Sequence, residues 1–108
     1  MRHASERRAA WHYRLRGYRI LGANVWAGGY ELDLIARRGR TLVFCEVKSR
    51  HDAGFGRALE MVGPEKVRRV RQAAEAWRAA HPELRALRVR FDVVAEQDGR
   101  LQRVSQAF

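Results

Sequence analysis

A chain of 108 residues with 46 % hydrophobic content is long enough for one compact domain with a core, and too apolar to remain disordered. Its 22 basic residues against 12 acidic ones leave a formal net charge of +10, an excess that favours a polyanionic partner through phosphate neutralisation and steering. No window approaches the roughly 20 apolar residues of a membrane span, the Arg-rich start has no apolar signal segment, and the single cysteine, Cys45, excludes an intramolecular disulfide.

These features lead by default to a cytoplasmic location and away from a membrane. A basic surface with no specific partner is the competing reading of the charge. Of the 22 basic residues, 20 are Arg and only Lys48 and Lys66 are Lys. Arg forks match phosphate geometry, whereas Lys is a compact point charge. The two places that use Lys therefore stand out.

The first expected helix runs from Glu6 to Arg16, with Ser5 as N-cap and Gly17 as its stop. Glu6, Ala9, Ala10, Tyr13 and Gly17 share one face, so Glu6 lies on the apolar stripe. A strand follows over Tyr18–Trp26, with Gly22 as a bulge, and Gly28-Gly29 forms a turn. Tyr30–Ala36 alternates: Tyr30, Leu32, Leu34 and Ala36 are expected on one face, and Glu31, Asp33 and Ile35 on the other. Arg38-Gly39-Arg40 reads as a hairpin turn into a strand over Thr41–Lys48. That strand is apolar on both faces, with Val43, Cys45 and Val47 on one and Leu42 and Phe44 on the other, so it should be central and covered twice. Cys45 reads as core rather than nucleophile.

Ser49–Ala58 is a polar loop. Pro64 opens a second helix to Ala80, with Val67, Val70, Ala74 and Trp77 as its buried stripe and Arg68, Arg69, Arg71 and Arg78 around the rest. Pro82 follows its stop. Arg88–Glu96 is a fourth strand and Leu101–Ser105 a short fifth. The order α-β-β-β-α-β, extended by that last strand, predicts one mixed α/β domain over residues 1–108, with a central sheet flanked by helices.

Chemistry concentrates where the third strand stops being apolar. Leu42 and Phe44 are followed on the same face by Glu46 and Lys48. Charges at the end of a covered strand are costly unless compensated, and these two could simply pair. The hairpin also brings Asp33 opposite that end. Two carboxylates meeting there repel unless a cation sits between them. A hard divalent ion, Mg²⁺ or Mn²⁺, suits oxygen ligands and a phosphate substrate. The adjacent ammonium of Lys48 can position a water or stabilise charge on a phosphate.

Other residues carry weaker signals. Lys66, in the first turn of the second helix beside Arg68, Arg69 and Arg71, reads as a phosphate contact, and Arg50 and Arg57 as clamps on a nucleic-acid backbone. Trp11, Trp26 and Trp77 read first as core, with Trp26, beside the Gly-Gly turn, the best candidate for stacking on a base. His51 reads as a solvated loop residue, Gly54-x-Gly56 as a flexible loop, and Asp92 as structural, paired with Arg90 or another Arg.

Asp33 followed by Glu46-Val47-Lys48 resembles the PD-(D/E)xK nuclease signature, with an Asp-to-Glu interval similar to that of archaeal Holliday-junction resolvases. Gly17-Tyr18, Asn24 and Glu31-Leu32-Asp33-Leu34-Ile35 resemble the "GY…N…GEIDLI" block of the YraN-like family. Leu42-Val43-Phe44-Cys45-Glu46-Val47-Lys48-Ser49-Arg50 resembles its "LVFVEVKxR" block. Phe55-Gly56, Val62, Lys66 and Arg90-Phe91-Asp92-Val93-Val94 are similar to its later landmarks. The resemblance implies a restriction-endonuclease-like fold and a metal-dependent nuclease site acting on DNA more than RNA, with branched DNA as a candidate form.

By the same resemblance Asp33 and Glu46 are metal ligands, Lys48 is the catalytic lysine, and Glu6 is an auxiliary ligand. For Glu6 the alternative is a first-turn Glu favoured by the helix dipole. Glu31 is either an accessory ligand or an Arg partner. Resolvase-like relatives suggest a homodimer, although no interface is legible. The chain departs from the family block at Tyr30, where Gly is usual. Alternation turns Tyr30 away from Asp33, so the expected effect falls on packing or substrate fit. Two rivals to the enzyme reading stand: a nucleic-acid-binding module that retains the nuclease fold without catalysis, and a basic accessory protein whose charged cluster is only an ion pair.

Overall fold

The computed structural model of the protein describes residues 4–49 and 63–108. Helix α1 (Ala4–Leu15) leads into strands β1 (Arg19–Ala27), β2 (Tyr30–Arg38) and β3 (Thr41–Ser49). Helix α2 (Pro64–Ala79), a 3-10 turn (Pro82–Leu84), β4 (Arg88–Gln97) and β5 (Arg100–Val104) follow. The five strands form one sheet in the order β1-β2-β3-β4-β5, parallel between β3 and β4 and antiparallel elsewhere. It is the mixed α/β architecture that the element order implied, and it is compatible with the restriction-endonuclease-like core that the family resemblance implied.

Each helix covers one face. Ala9, Ala10 and Tyr13 of α1 pack on Leu34, Ala36, Val43 and Cys45. Val70, Ala73, Ala74 and Trp77 of α2 pack on Leu32, Ile35, Leu42 and Phe44. The central β3 is thus buried from Leu42 to Glu46, because its neighbouring residues point into different cores. Cys45 is buried and free, as its apolar setting implied.

Helix α1 ends where expected. Gly17 takes φ +86°, Tyr18 N–H donates to Tyr13 O, and Gly17 N–H donates to Arg14 O. This is a Schellman closure, and the Tyr13 and Tyr18 rings meet edge-on at 5.1 Å across it. Ser5 is not the cap: it is already helical and buried. The bulge expected at Gly22 is present as a register shift between Ile20 and Gly22. A Cβ at Gly22 would come 2.8 Å from Val25 Cγ2, so the bulge leaves no room for a side chain. Gly28 and Gly29 turn at φ +56° and +79°.

One expectation fails in β2. Alternation puts Leu32 on the face of Leu34 and Ala36, yet Leu32 packs with Ile35 beneath α2, while Leu34 and Ala36 pack beneath α1. The face changes between Leu32 and Leu34. The same slip occurs in β1, where Ala23 joins the α1 side and Val25 the α2 side. Ala23 pairs with Leu34 and Val25 with Leu32, so the slips oppose each other. Between them lie Asp33 and Asn24, the latter at φ +53°. Asn is among the few residues that tolerate the left-handed region.

No helix among the described residues is long and apolar enough to cross a membrane.

Candidate active site

The slip in the β1–β2 hairpin builds the site. The β2–β3 ladder ends at Leu34 and Cys45. One residue on, the carboxylate of Asp33 takes over from the backbone: Val47 N–H donates to Asp33 Oδ2 at 2.9 Å. Asp33 is thereby fixed against the Glu46–Lys48 segment, as the hairpin argument required. On the other side of the slip, Asn24 Nδ2 donates to Glu6 Oε2, which binds the start of α1 to the same place.

Glu46 is 1 % exposed, on the α2 face that Leu42 and Phe44 begin. Tyr30 O–H donates to its Oε1 at 3.0 Å, and Lys66 Nζ lies 3.6 Å from the same oxygen. Its Oε2 is buried and has no hydrogen-bond partner among the described residues. Burial, then the nearby charge of Asp33, pushes the Glu46 carboxyl up to about 7. Burial, then the neighbouring Lys66, pushes the Lys48 ammonium down to about 8. The only two lysines of the chain therefore meet at one site, although they lie on a strand and on a helix.

Tyr30 corrects the alternation argument. It packs on the α2 side and its hydroxyl reaches Glu46, so it belongs to the site rather than pointing away. The slip at Asp33 is the reason: it rotates Tyr30 and Leu32 onto the face that Glu46 occupies. The residue that departs from the family block thus supplies a donor to a buried carboxylate. That contact pushes the phenol pKa upward, after burial.

An open cleft of about 570 Å³ lies at this end of the sheet, lined by Asp33, Glu46, Lys48, Glu6, Lys66 and Glu96. Glu31 also faces it. Glu96, the residue missed from sequence, is buried at the end of β4, level with Ser49 of β3, and Arg8 Nη1 donates to it. The signal was available: Val93, Val94 and Ala95 run into Glu96 as Phe44 and Cys45 run into Glu46, a charge closing a covered strand.

The remaining expectations divide. Arg68 and Arg69 are exposed and hold Glu65 at 2.7 and 3.1 Å. Arg71 stacks over Phe91 at 4.9 Å. None of the three lines the cleft. Arg50, Arg57, His51 and Gly54-x-Gly56 lie outside the described residues. Asp92 is fully buried and structural, gripped by Arg90 at 2.8 and 2.9 Å and by Tyr13 O–H at 2.7 Å. Trp77 is core, but Trp11 and Trp26 are 59 % and 71 % exposed, which overturns the core reading for those two.

Asp33 and Glu46 suit a hard cation: both are carboxylates, their charges repel, and one buried oxygen lacks a donor. Among the described residues, no three His, Cys, Asp or Glu side chains converge closely enough to hold a metal by themselves. Glu6 shares the cleft with the pair without completing such a trio.

Residues 5–95 match the model of the uncharacterised protein family UPF0102. A UPF0102 protein of Acidothermus cellulolyticus is 46 % identical over 99 residues, covering 83 % of this chain and 75 % of the relative. One from Bartonella bacilliformis is 40 % identical over 104 residues, covering 96 % and 84 %. One from Rhizorhabdus wittichii is 54 % identical over 72 residues, covering 66 % of this chain and 58 % of the relative's length. With a match over most of its length, this chain belongs to the uncharacterised protein family UPF0102, the YraN-like family that its sequence blocks resemble.

Proposed function

We propose that this protein is a metal-dependent endonuclease that hydrolyses phosphodiester bonds in DNA, with branched or otherwise structured DNA as the favoured substrate. The observation that carries the reading is the buried, half-satisfied Glu46 set against Asp33, with Lys48 and Lys66 converging on the same cleft. A charged cluster of that kind is expensive to bury and suits a reaction at a phosphate.

Asp33 and Glu46 would hold Mg²⁺ or Mn²⁺, with Glu6 as an auxiliary carboxylate at the cleft wall. The cation would supply Lewis-acid stabilisation of the phosphate and activation of the attacking water. The chain's own groups do the rest. Lys48 orients the water or scissile phosphate and offsets the charge that builds on its oxygens. Lys66, anchored by Glu46 from the α2 side, presents a second ammonium to the backbone. Tyr30 and Val47 N–H fix the two carboxylates in place, one bond each. The Arg-rich exterior draws the polyanion towards an otherwise acidic cleft.

The ion pair between Lys66 and Glu46 favours a second reading, a nucleic-acid-binding module without catalysis, because Lys66 already supplies part of the counter-charge. A cleavage screen decides between them. Junctions, flaps, duplexes and single strands of DNA and RNA are incubated with Mg²⁺ or Mn²⁺, with Lys48→Ala as the control. Cutting that requires both the cation and Lys48 supports the enzyme. Tight binding with no cut strand on any substrate overturns it in favour of the module.

A further inference from the structure

We infer that Trp26 is a base-stacking residue that receives an unpaired nucleobase beside the cleft, giving this protein a preference for nucleic acid with unstacked bases. The inference rests on the nucleic-acid reading of the site and adds a specificity-determining contact outside the charged cluster.

Three observations carry it. Trp26 is 71 % exposed, although an indole this accessible forgoes the burial that most Trp side chains find. It sits on the face away from α2, since Val25 and Ala27 on either side pack towards that helix. Its cross-strand partner is Glu31, and Glu31 lines the cleft. Cross-strand neighbours lie ~5 Å apart and residues two along a strand ~7 Å apart, so Trp26 stands on the order of 9 Å from Asp33. An unstacked strand extends further per nucleotide than the ~3.4 Å of a stacked one, so that distance is spanned by no more than two to three nucleotides.

The platform is also held firmly. Gly28 packs so tightly on α2 that an added Cβ would meet Ala73 Cα and Gln72 O at 3.2 Å. Gln72 Nε2 donates to Gly28 O at 3.5 Å across the same contact. A hairpin tip docked on a helix holds the backbone beneath the indole, so little backbone freedom is lost when a base stacks on it. Every base has a π-face, which makes such a contact tolerant of sequence and selective for bases free of their own stack.

The test uses fluorescence in the presence of a chelator, so that no strand is cut. In a Trp11→Phe background Trp26 is the exposed indole, Trp77 being buried. The protein is titrated at low salt with oligothymidylate and with a blunt duplex of equal length. Single strands are expected to quench Trp26, and the duplex to bind without comparable quenching. Trp26→Ala should weaken single-strand binding about tenfold, within the range of one lost base stack, and leave duplex affinity essentially unchanged. Trp26→Phe should recover part of the loss. Oligothymidylate that binds without quenching, or equally well to Trp26→Ala, overturns the inference while leaving the nuclease reading intact. A protein that binds neither probe, nor a four-way junction with Ca²⁺ in place of the chelator, overturns the nucleic-acid reading and this inference with it.

Discussion

Glu46 is buried at a cost that its own partners only partly offset. Burial and Asp33 raise its carboxyl to about 7, against 4.5 for an ordinary Glu, while Lys66, Tyr30 and Lys48 pull the other way. Between those two values the folded protein holds a proton that the unfolded chain has released. Stability therefore falls as pH rises from about 4.5 to about 7, and stays low above it. Lys48 adds to this in the opposite range: with its pKa lowered to about 8, the folded state regains stability only as pH climbs from about 8 towards 10.5. Near neutrality the site is at its most costly, a cost that the proposed chemistry at this site would account for. Glu46→Gln keeps the shape and removes the charge. Thermal unfolding should find this variant more stable than the wild type by about 2 kcal/mol at pH 8, and no more stable at pH 4. An equal change at both pH values would mean that charge burial is not what strains the site.

Both glycines of the β1–β2 turn use positive φ, but they differ in surroundings. A side chain at Gly29 would meet nothing within 4 Å, whereas one at Gly28 would press on α2. Gly29→Ala should cost only the backbone term, about 1 kcal/mol, and Gly28→Ala should cost about 1–3 kcal/mol more through overpacking. Chemical denaturation of the two variants measures the difference, and equal losses would deny the docking of the turn on α2. Glycine punctuation was readable from the sequence, because Gly adopts φ > 0 with the least strain of any residue, and it marked the ends of α1, β1 and β2 correctly. Two-sided burial of β3 was readable from its apolar run. What period-two reasoning could not supply was the slip at Asn24 and Asp33. A slip is a property of two paired strands, and a single strand's pattern carries no sign of it until its partner is in register. Tyr30 was misplaced for that reason, and Glu31 and Asp33 were joined to Ile35 on too simple a face. The convergence of Lys66 on Glu46 depends on how α2 crosses the sheet, a tertiary fact that helix periodicity does not contain.

The charge of the whole molecule is divided in a way that bears on the proposed nucleic-acid partner. Glu6, Asp33, Glu46 and Glu96 crowd one cleft in a chain whose net charge is +10. An acidic cleft repels phosphate, so the attraction must come from the basic exterior, and exterior attraction is screened by salt. Part of that exterior is engaged within the protein: Glu65, itself exposed, holds both Arg68 and Arg69. Its carboxyl lies below the usual range because Arg68 and then Arg69 favour the ionised form. Glu65→Gln keeps the helix start and releases two guanidinium groups for phosphate. Duplex affinity should then rise at low salt. The plot of log K against log salt should steepen by up to about 0.9 for each guanidinium that gains a phosphate. Fluorescence anisotropy of a labelled duplex across a salt series gives both quantities. A wild-type affinity that ignores salt would remove the exterior from the account of binding. A slope left unchanged by Glu65→Gln would mean that Arg68 and Arg69 are not among the groups that contact phosphate.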